Sequence, residues 1–153
     1  MPINLDTKTE LLNQLNANLN TKMEAIKAAI ADVSESMKND TKSSAGDKFE
    51  TGREMMQIEL NNKQAQLGKL IRLKKDLALI QTKKKMDRIG FGSLVRTNQG
   101  NYFISVALGK VTINQDDFFA ISLVSPLGQL LKDKEAGDSI QFNGRTLKVQ
   151  EIL

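Results

Sequence analysis

Between Thr7 and Lys38 the chain has no glycine or proline, and Leu12, Leu15, Leu19, Met23, Ile26, Ile30, Val33 and Met37 recur at intervals of 3 or 4 residues. That spacing predicts a helix with a narrow apolar stripe of the coiled-coil kind, irregular only where two intervals of four meet. Either Asp6 or Thr7 can cap its start, with Glu10 in the first turn. At about 1.5 Å of rise per residue the helix is roughly 45–50 Å long. Isolated helices draw little stability from propensity, so a helix of this length with one narrow stripe needs a partner to cover it.

The partner follows a break. Residues 39–54 read NDTKSSAGDKFETGRE and carry four carboxylates, Asp40, Asp47, Glu50 and Glu54. Beyond the break, from about Asp47 to Met86, a second helical pattern places Phe49, Met56, Leu60, Leu67, Leu70, Leu77 and Ile80 near one face. Lys63 and Lys74 fall where apolar residues would complete it, and Gly52 and Gly68 lie inside it. Each interior glycine costs roughly 1 kcal/mol against alanine. The two patterns have matching lengths and a short polar connection containing Ser43, Ser44 and Gly46. An antiparallel hairpin satisfies both stripes at once, and a dimeric stalk is the competing solution. Met55 and Met56 read as helix packing.

Charge is uneven along this hairpin. Residues 39–60 hold three basic and five acidic side chains, whereas residues 63–88 hold nine basic and two acidic, ending near Lys83-Lys84-Lys85. An acidic tip on a basic stem suits a site that contains both metal ions and nucleic acid; the plainer reading is a solvated charged face. Over all 153 residues the excess of basic side chains is only 4, too small for a dedicated DNA-binding protein, and one tyrosine and no tryptophan leave little for base stacking. Cysteine and histidine are absent. Thiol and imidazole chemistry and soft-ligand zinc sites are thereby excluded, so any metal must be a hard ion held by oxygen. The opening residues lack a signal-peptide pattern, and no apolar run approaches membrane-spanning length, which predicts a cytoplasmic protein without membrane contact.

From Ile89 onward basic and acidic side chains balance at six each, and period-two patterns replace helical ones. Strand candidates are 93–97, 102–107, 110–113, 118–124, 139–142 and 146–152, with Phe118 and Phe119 read as core. Ser125-Pro126 starts a short helix, with serine as cap and proline at the first position. Asn143-Gly144 is a strong hairpin signal. The expectation is an α+β chain. Residues 1–86 form an antiparallel coiled-coil hairpin with an acidic tip near 40–54. Residues 89–153 form a small β-rich domain of about five strands and one helix.

Two local motifs on this architecture resemble the bacterial Gre transcript-cleavage factors. Gly46-Asp47-Lys48-Phe49-Glu50 resembles the Gly-Asp-x-x-Glu at the tip of that family's hairpin. Ser125-Pro126-Leu127-Gly128-Gln129-Leu130-Leu131, followed by Gly137-Asp138, resembles the family's Ser-Pro helix and Gly-Asp strand entry, and FNGRTLKVQEIL resembles its closing hairpin. The likeness runs from about residue 12 to the end.

The resemblance implies a monomeric factor with an FKBP-like C-terminal domain, whose hairpin enters the secondary channel of RNA polymerase. There Asp47 and Glu50 would act in trans, helping to position a catalytic Mg²⁺ and the attacking water, so that backtracked RNA is cut. Contact with the nascent RNA would be indirect, and Ser125 and Pro126 would lie in the surface that grips the polymerase. Some relatives occupy the same channel and inhibit, which makes a channel-binding regulator the alternative.

Such a division of labour agrees with the chemistry. Mg²⁺ binds through one or two carboxylates and keeps several waters, so two side chains complete a site begun elsewhere. The chain would then be an accessory to catalysis, not an enzyme. Asp-x-x-Glu at a helix start is equally a capping arrangement, with Asp47 ahead of the helix and Glu50 at its third position. A prolyl isomerase is a further reading of the C-terminal domain, although such pockets need aromatic walls and here Tyr102 and a few phenylalanines must serve both core and pocket.

Overall fold

The computed structural model describes residues 3–40 and 46–153, and for Asp40 and residues 46–50 the backbone alone. Expectations that rest on Ser43 and Ser44, or on the side chains of Asp40, Asp47, Phe49 and Glu50, lie outside the described residues. Two long helices come first, α1 (Leu5–Asp40) and α2 (Gly46–Ala78). Six strands and one short helix follow: β1 (Leu94–Thr97), β2 (Gly100–Ser105), β3 (Gly109–Ile113), β4 (Asp116–Ser122), α3 (Pro126–Leu131), β5 (Ser139–Phe142) and β6 (Arg145–Ile152). The helical hairpin and the β-rich C-terminal part are thus both present. Packing divides the chain into two compact units, one of residues 18–74 and one that joins residues 1–17 to residues 75–153.

The unit of residues 18–74 is a helix pair. From α1, Leu19, Met23 and Met37 are buried and Ile26, Ile30 and Val33 half-buried. From α2, Met56, Leu60, Lys63, Leu67, Leu70 and Leu73 are half-buried at steps of three and four. Lys63 does occupy a stripe position and is half-buried there, as a long aliphatic stem allows. Lys74 does not: Leu73 fills that place, and the Lys74 ammonium reaches across to donate to Asn20 Oδ1 at 2.8 Å. Met55 is 66% exposed and faces away from the seam, so only Met56 of the pair packs.

In the second unit the start of α1 differs from expectation. Asn4 is the cap, its Oδ1 accepting from Thr7 N at 2.9 Å, which places the helix start ahead of Asp6 and Thr7. Asparagine here satisfies one of the amides that every helix start leaves unpaired. Leu11 rather than Leu12 is fully buried, and the stripe extends one turn further back to Lys8. At the other end, α2 stops at Ala78 and does not run on to Met86. Leu79 N and Ile80 N bond three residues back, to Asp76 O and Leu77 O, which tightens the last turn. Ile80 is buried, with Gly92 close against it.

The sheet has the order β3-β4-β2-β1-β6-β5, with β2 and β4 parallel and all other neighbours antiparallel. Each of the six strand candidates overlaps one of the six strands, although the domain was expected to hold about five. Alternation along the strands splits the buried residues between two faces. Val95, Ile104, Leu147 and Val149 join Leu127 and Leu131 of α3, together with Ile89, Ile140 and Ile152, in one core. Leu94, Phe103, Phe118 and Ala120 are buried on the opposite face, where Ile3 and Thr7 share a small cavity with Phe118. Phe119 therefore falls on the other side from Phe118. It is 38% exposed, its ring 5.9 Å from that of Tyr102 on the neighbouring strand.

Two hairpins close on residues with positive φ. Asn143 and Gly144 (φ 51° and 76°) make the tight turn of β5–β6, as their sequence predicts. Asn114 and Gln115 (φ 50° and 71°) do the same for β3–β4, with a glutamine in a conformation usually left to glycine or asparagine.

Candidate functional site

Three places are candidates for function: the first turn of α2, the Ser-Pro turn that opens α3, and the buried lysine under the sheet domain.

At the first of these, α2 is already helical at Gly46, so Asp47 is its second residue and not the residue ahead of it. Asp47 and Glu50 stand three apart in one helix, which makes them neighbouring positions on its surface. Both lie in the first turns, where the aligned peptide dipoles favour negative charge. Lys38 occupies the last turn of α1, where the dipole favours positive charge. How the Asp47 and Glu50 side chains point is outside the described residues. No group of three or more acidic side chains that could hold a metal ion occurs among the described residues.

The Ser-Pro turn is ordered in detail. Ser125 Oγ accepts from Gly128 N at 3.0 Å and donates to Ser122 O at 2.6 Å, so one hydroxyl caps α3 and ties it to the end of β4. Pro126 sits at the first helical position, where its missing amide costs nothing. Gln129 Nε2 donates to Val124 O at 3.0 Å. Gly128 is dictated by close approach: a Cβ there would collide with Ser122 O and come within 2.9 Å of Leu123 O. The outcome is a rigid turn with an apolar outer surface. Val124 is 76% and Leu130 41% exposed, beside the exposed Pro126. Sequence reasoning singled out Ser125 and Pro126 as candidates but not Val124 or Leu130 beside them. The spacing gave no such signal, since positions i, i+3 and i+4 ordinarily share one helix face, yet Leu130 is left exposed.

Lys8 is the third feature, and sequence reasoning missed it altogether. It is fully buried, and its ammonium donates to Leu153 O at 3.2 Å and Lys84 O at 3.4 Å. Burial pushes its pKa below the usual lysine range. Position Lys8 lies three residues ahead of Leu11 on the buried stripe, the one hint the sequence offers.

No family model and no curated protein matches the chain. Among solved structures, that of the transcription factor Gfh1 is similar, at 19% identity over 90% of this chain and 92% of that one, with a TM-score of 0.38.

Aromatic walls of the kind a prolyl-isomerase pocket needs are thin. The cleft of about 180 Å³ beside Met86 has Phe91 as its aromatic residue, and that of about 40 Å³ beside Ile3 has Phe118. Tyr102 packs against the core, burial raising the pKa of its phenol while Arg145 opposes the rise. No helix among the described residues is long and apolar enough to cross a membrane.

Proposed function

We propose that this chain is an elongation factor that enters the secondary channel of RNA polymerase tip first and stimulates Mg²⁺-dependent cleavage of backtracked transcripts. The observation that carries the reading is the placement of Asp47 and Glu50. Both stand in the first turns of α2, three residues apart, at the end where two uninterrupted helices of 36 and 33 residues meet. From Asn18 to Asp40, α1 alone measures about 35 Å at 1.5 Å per residue, long enough to carry a group deep into a channel. The Gre-like motif at 46–50 supports the same assignment.

Two carboxylates make an incomplete site for a hard cation, which is what an accessory factor requires. Mg²⁺ held mainly by the polymerase would supply the acidity that activates water and the charge that stabilises the cleaved phosphodiester. Asp47 and Glu50 would hold and orient; the polymerase would catalyse. On this reading the β-rich, FKBP-like domain is the dock, with Ser125 and Pro126 in the gripping surface and Val124 and Leu130 widening it. The factor acts as a monomer and meets nascent RNA only through the polymerase.

The test is a cleavage assay on stalled elongation complexes. Shortened transcripts are expected in the presence of Mg²⁺, and Asp47→Ala or Glu50→Ala should abolish them while polymerase binding persists. Full activity in both variants would refute the tip mechanism. Binding without cleavage by the unaltered protein would leave the regulator of the same channel as the correct reading.

A further inference from the structure

The segment that joins α2 to β1 forms a cleft of about 180 Å³ lined by Leu79, Gln81, Lys84, Met86, Phe91 and Gly92. Its two largest apolar side chains are open to solvent, Leu79 at 72% and Phe91 at 36% exposure. Large apolar groups left beside a concavity are what a binding surface presents and what a folded core avoids. Lys84 is the charged residue in its lining, with Lys83 and Lys85 beside it in the chain and the exposed Asp87 next to Met86. Lys83, Lys84 and Lys85 are all exposed, and none pairs with an acidic side chain among the described residues. Arg88 differs, being taken by Glu135 at 3.1 Å.

The walls are fixed from behind. Lys8, buried, holds the carbonyl of Lys84. Ile80 packs under Gly92, where an added Cβ would lie 3.5 Å from it and where φ is +93°. Ser93 Oγ accepts from Gly90 N at 2.9 Å and reaches Met86 Sδ at 3.2 Å, while Gly92 N donates to Ile104 O at 2.7 Å. The backbone is thus held while Leu79, Lys84 and Phe91 stay outside. A preformed cleft spares a ligand the cost of ordering it.

We propose that this cleft is a docking site for an acidic segment of a partner protein, which would seat one large apolar side chain between Leu79 and Phe91 and set its carboxylates against Lys83, Lys84 and Lys85. The anchor-and-rim pattern is that of a protein interface, with an apolar centre and a charged border. Single-stranded nucleic acid fits less well. It is recognised by successive aromatic platforms, and this cleft has one aromatic ring between aliphatic Leu79 and Met86. The site uses neither Asp47 and Glu50 nor Ser125 and Pro126, so it is separable from the function proposed above.

Panning a display library of short random peptides on the full chain, with counter-selection on the Leu79→Ser/Phe91→Ser variant, tests the proposal. Enriched peptides should be net negative around a single Leu, Met, Phe or Trp. By fluorescence anisotropy they should bind the unaltered chain about tenfold or more tighter than Leu79→Ser or Phe91→Ala. The Lys83→Gln/Lys84→Gln/Lys85→Gln variant should weaken binding and flatten its salt dependence. All of these variants alter exposed side chains, and circular dichroism confirms that they fold. Failure to enrich peptides, enrichment of neutral or basic ones, or equal binding to the cleft variants overturns the proposal. Tighter, cleft-dependent binding of a labelled single-stranded RNA would assign the site to nucleic acid instead.

Discussion

Gly128 shows how narrow the tolerance of a single position can be. Its neighbours are backbone carbonyls, those of Ser122 and Leu123, and backbone cannot swing aside as a side chain can. Gly128→Ala should therefore destabilise the protein by about 1–3 kcal/mol, the range for overpacking, even though alanine favours helix more than glycine. Denaturant titration of the two proteins measures it, and an unchanged midpoint would show that the turn can open at no cost. Lys8 has an opposite character, a polar group that folding has to accommodate. Its folded pKa lies below its ordinary value of 10.5 because burial disfavours the charged form. Between those two values the unfolded chain binds more protons than the folded one, so stability should rise as pH climbs through that window. Below it both states are charged and no pH dependence arises from Lys8. Lys8→Met should abolish the alkaline rise, which paired denaturation curves at stepped pH would reveal.

At the level of elements, α2 is the weaker partner of the hairpin. Within residues 18–74 its seam residues are half-buried, whereas α1 contributes the buried Leu19, Met23 and Met37. It also carries Gly68 in mid-helix, where an added Cβ would meet nothing within 4 Å. Gly68→Ala should consequently stabilise the chain by about 0.5–1 kcal/mol, because alanine loses less backbone entropy on entering a helix and has room to do so. Thermal unfolding followed at 222 nm would register the gain, and a loss would mean that the glycine serves an approach the isolated chain does not make. The same element explains why the seam could be read almost residue by residue yet its end could not. Apolar spacing continues through Leu77 and Ile80, but Ile80 is drawn into the sheet unit and the helix ends before it. A periodic pattern reports which residues are buried, not which element buries them.

Across the whole molecule, the two packing units should differ in how readily they open. In the sheet unit, Leu94, Val95, Phe103, Ile104 and Val149 are wholly shielded from solvent, and strand pairing ties residues distant in sequence. The helix pair of residues 18–74 depends on one seam, exposed along both edges. Amides of residues 18–74 should exchange hydrogen through openings of lower free energy than those of β1, β2 and β6, as native-state exchange in rising denaturant would show. Equal protection throughout would indicate a single cooperative block. What the amino-acid order settled unaided was everything set by local chemistry: the two stripes, the break between them, the serine cap with its proline and the Asn-Gly turn. Local chemistry is legible because its determinants are neighbours in the chain. Strand order, the parallel pairing of β2 with β4, the opposite faces of Phe118 and Phe119, the burial of Lys8 and the open cleft between Leu79 and Phe91 belong to the tertiary structure alone. Each depends on which remote residues share a face, and no spacing within a segment encodes that.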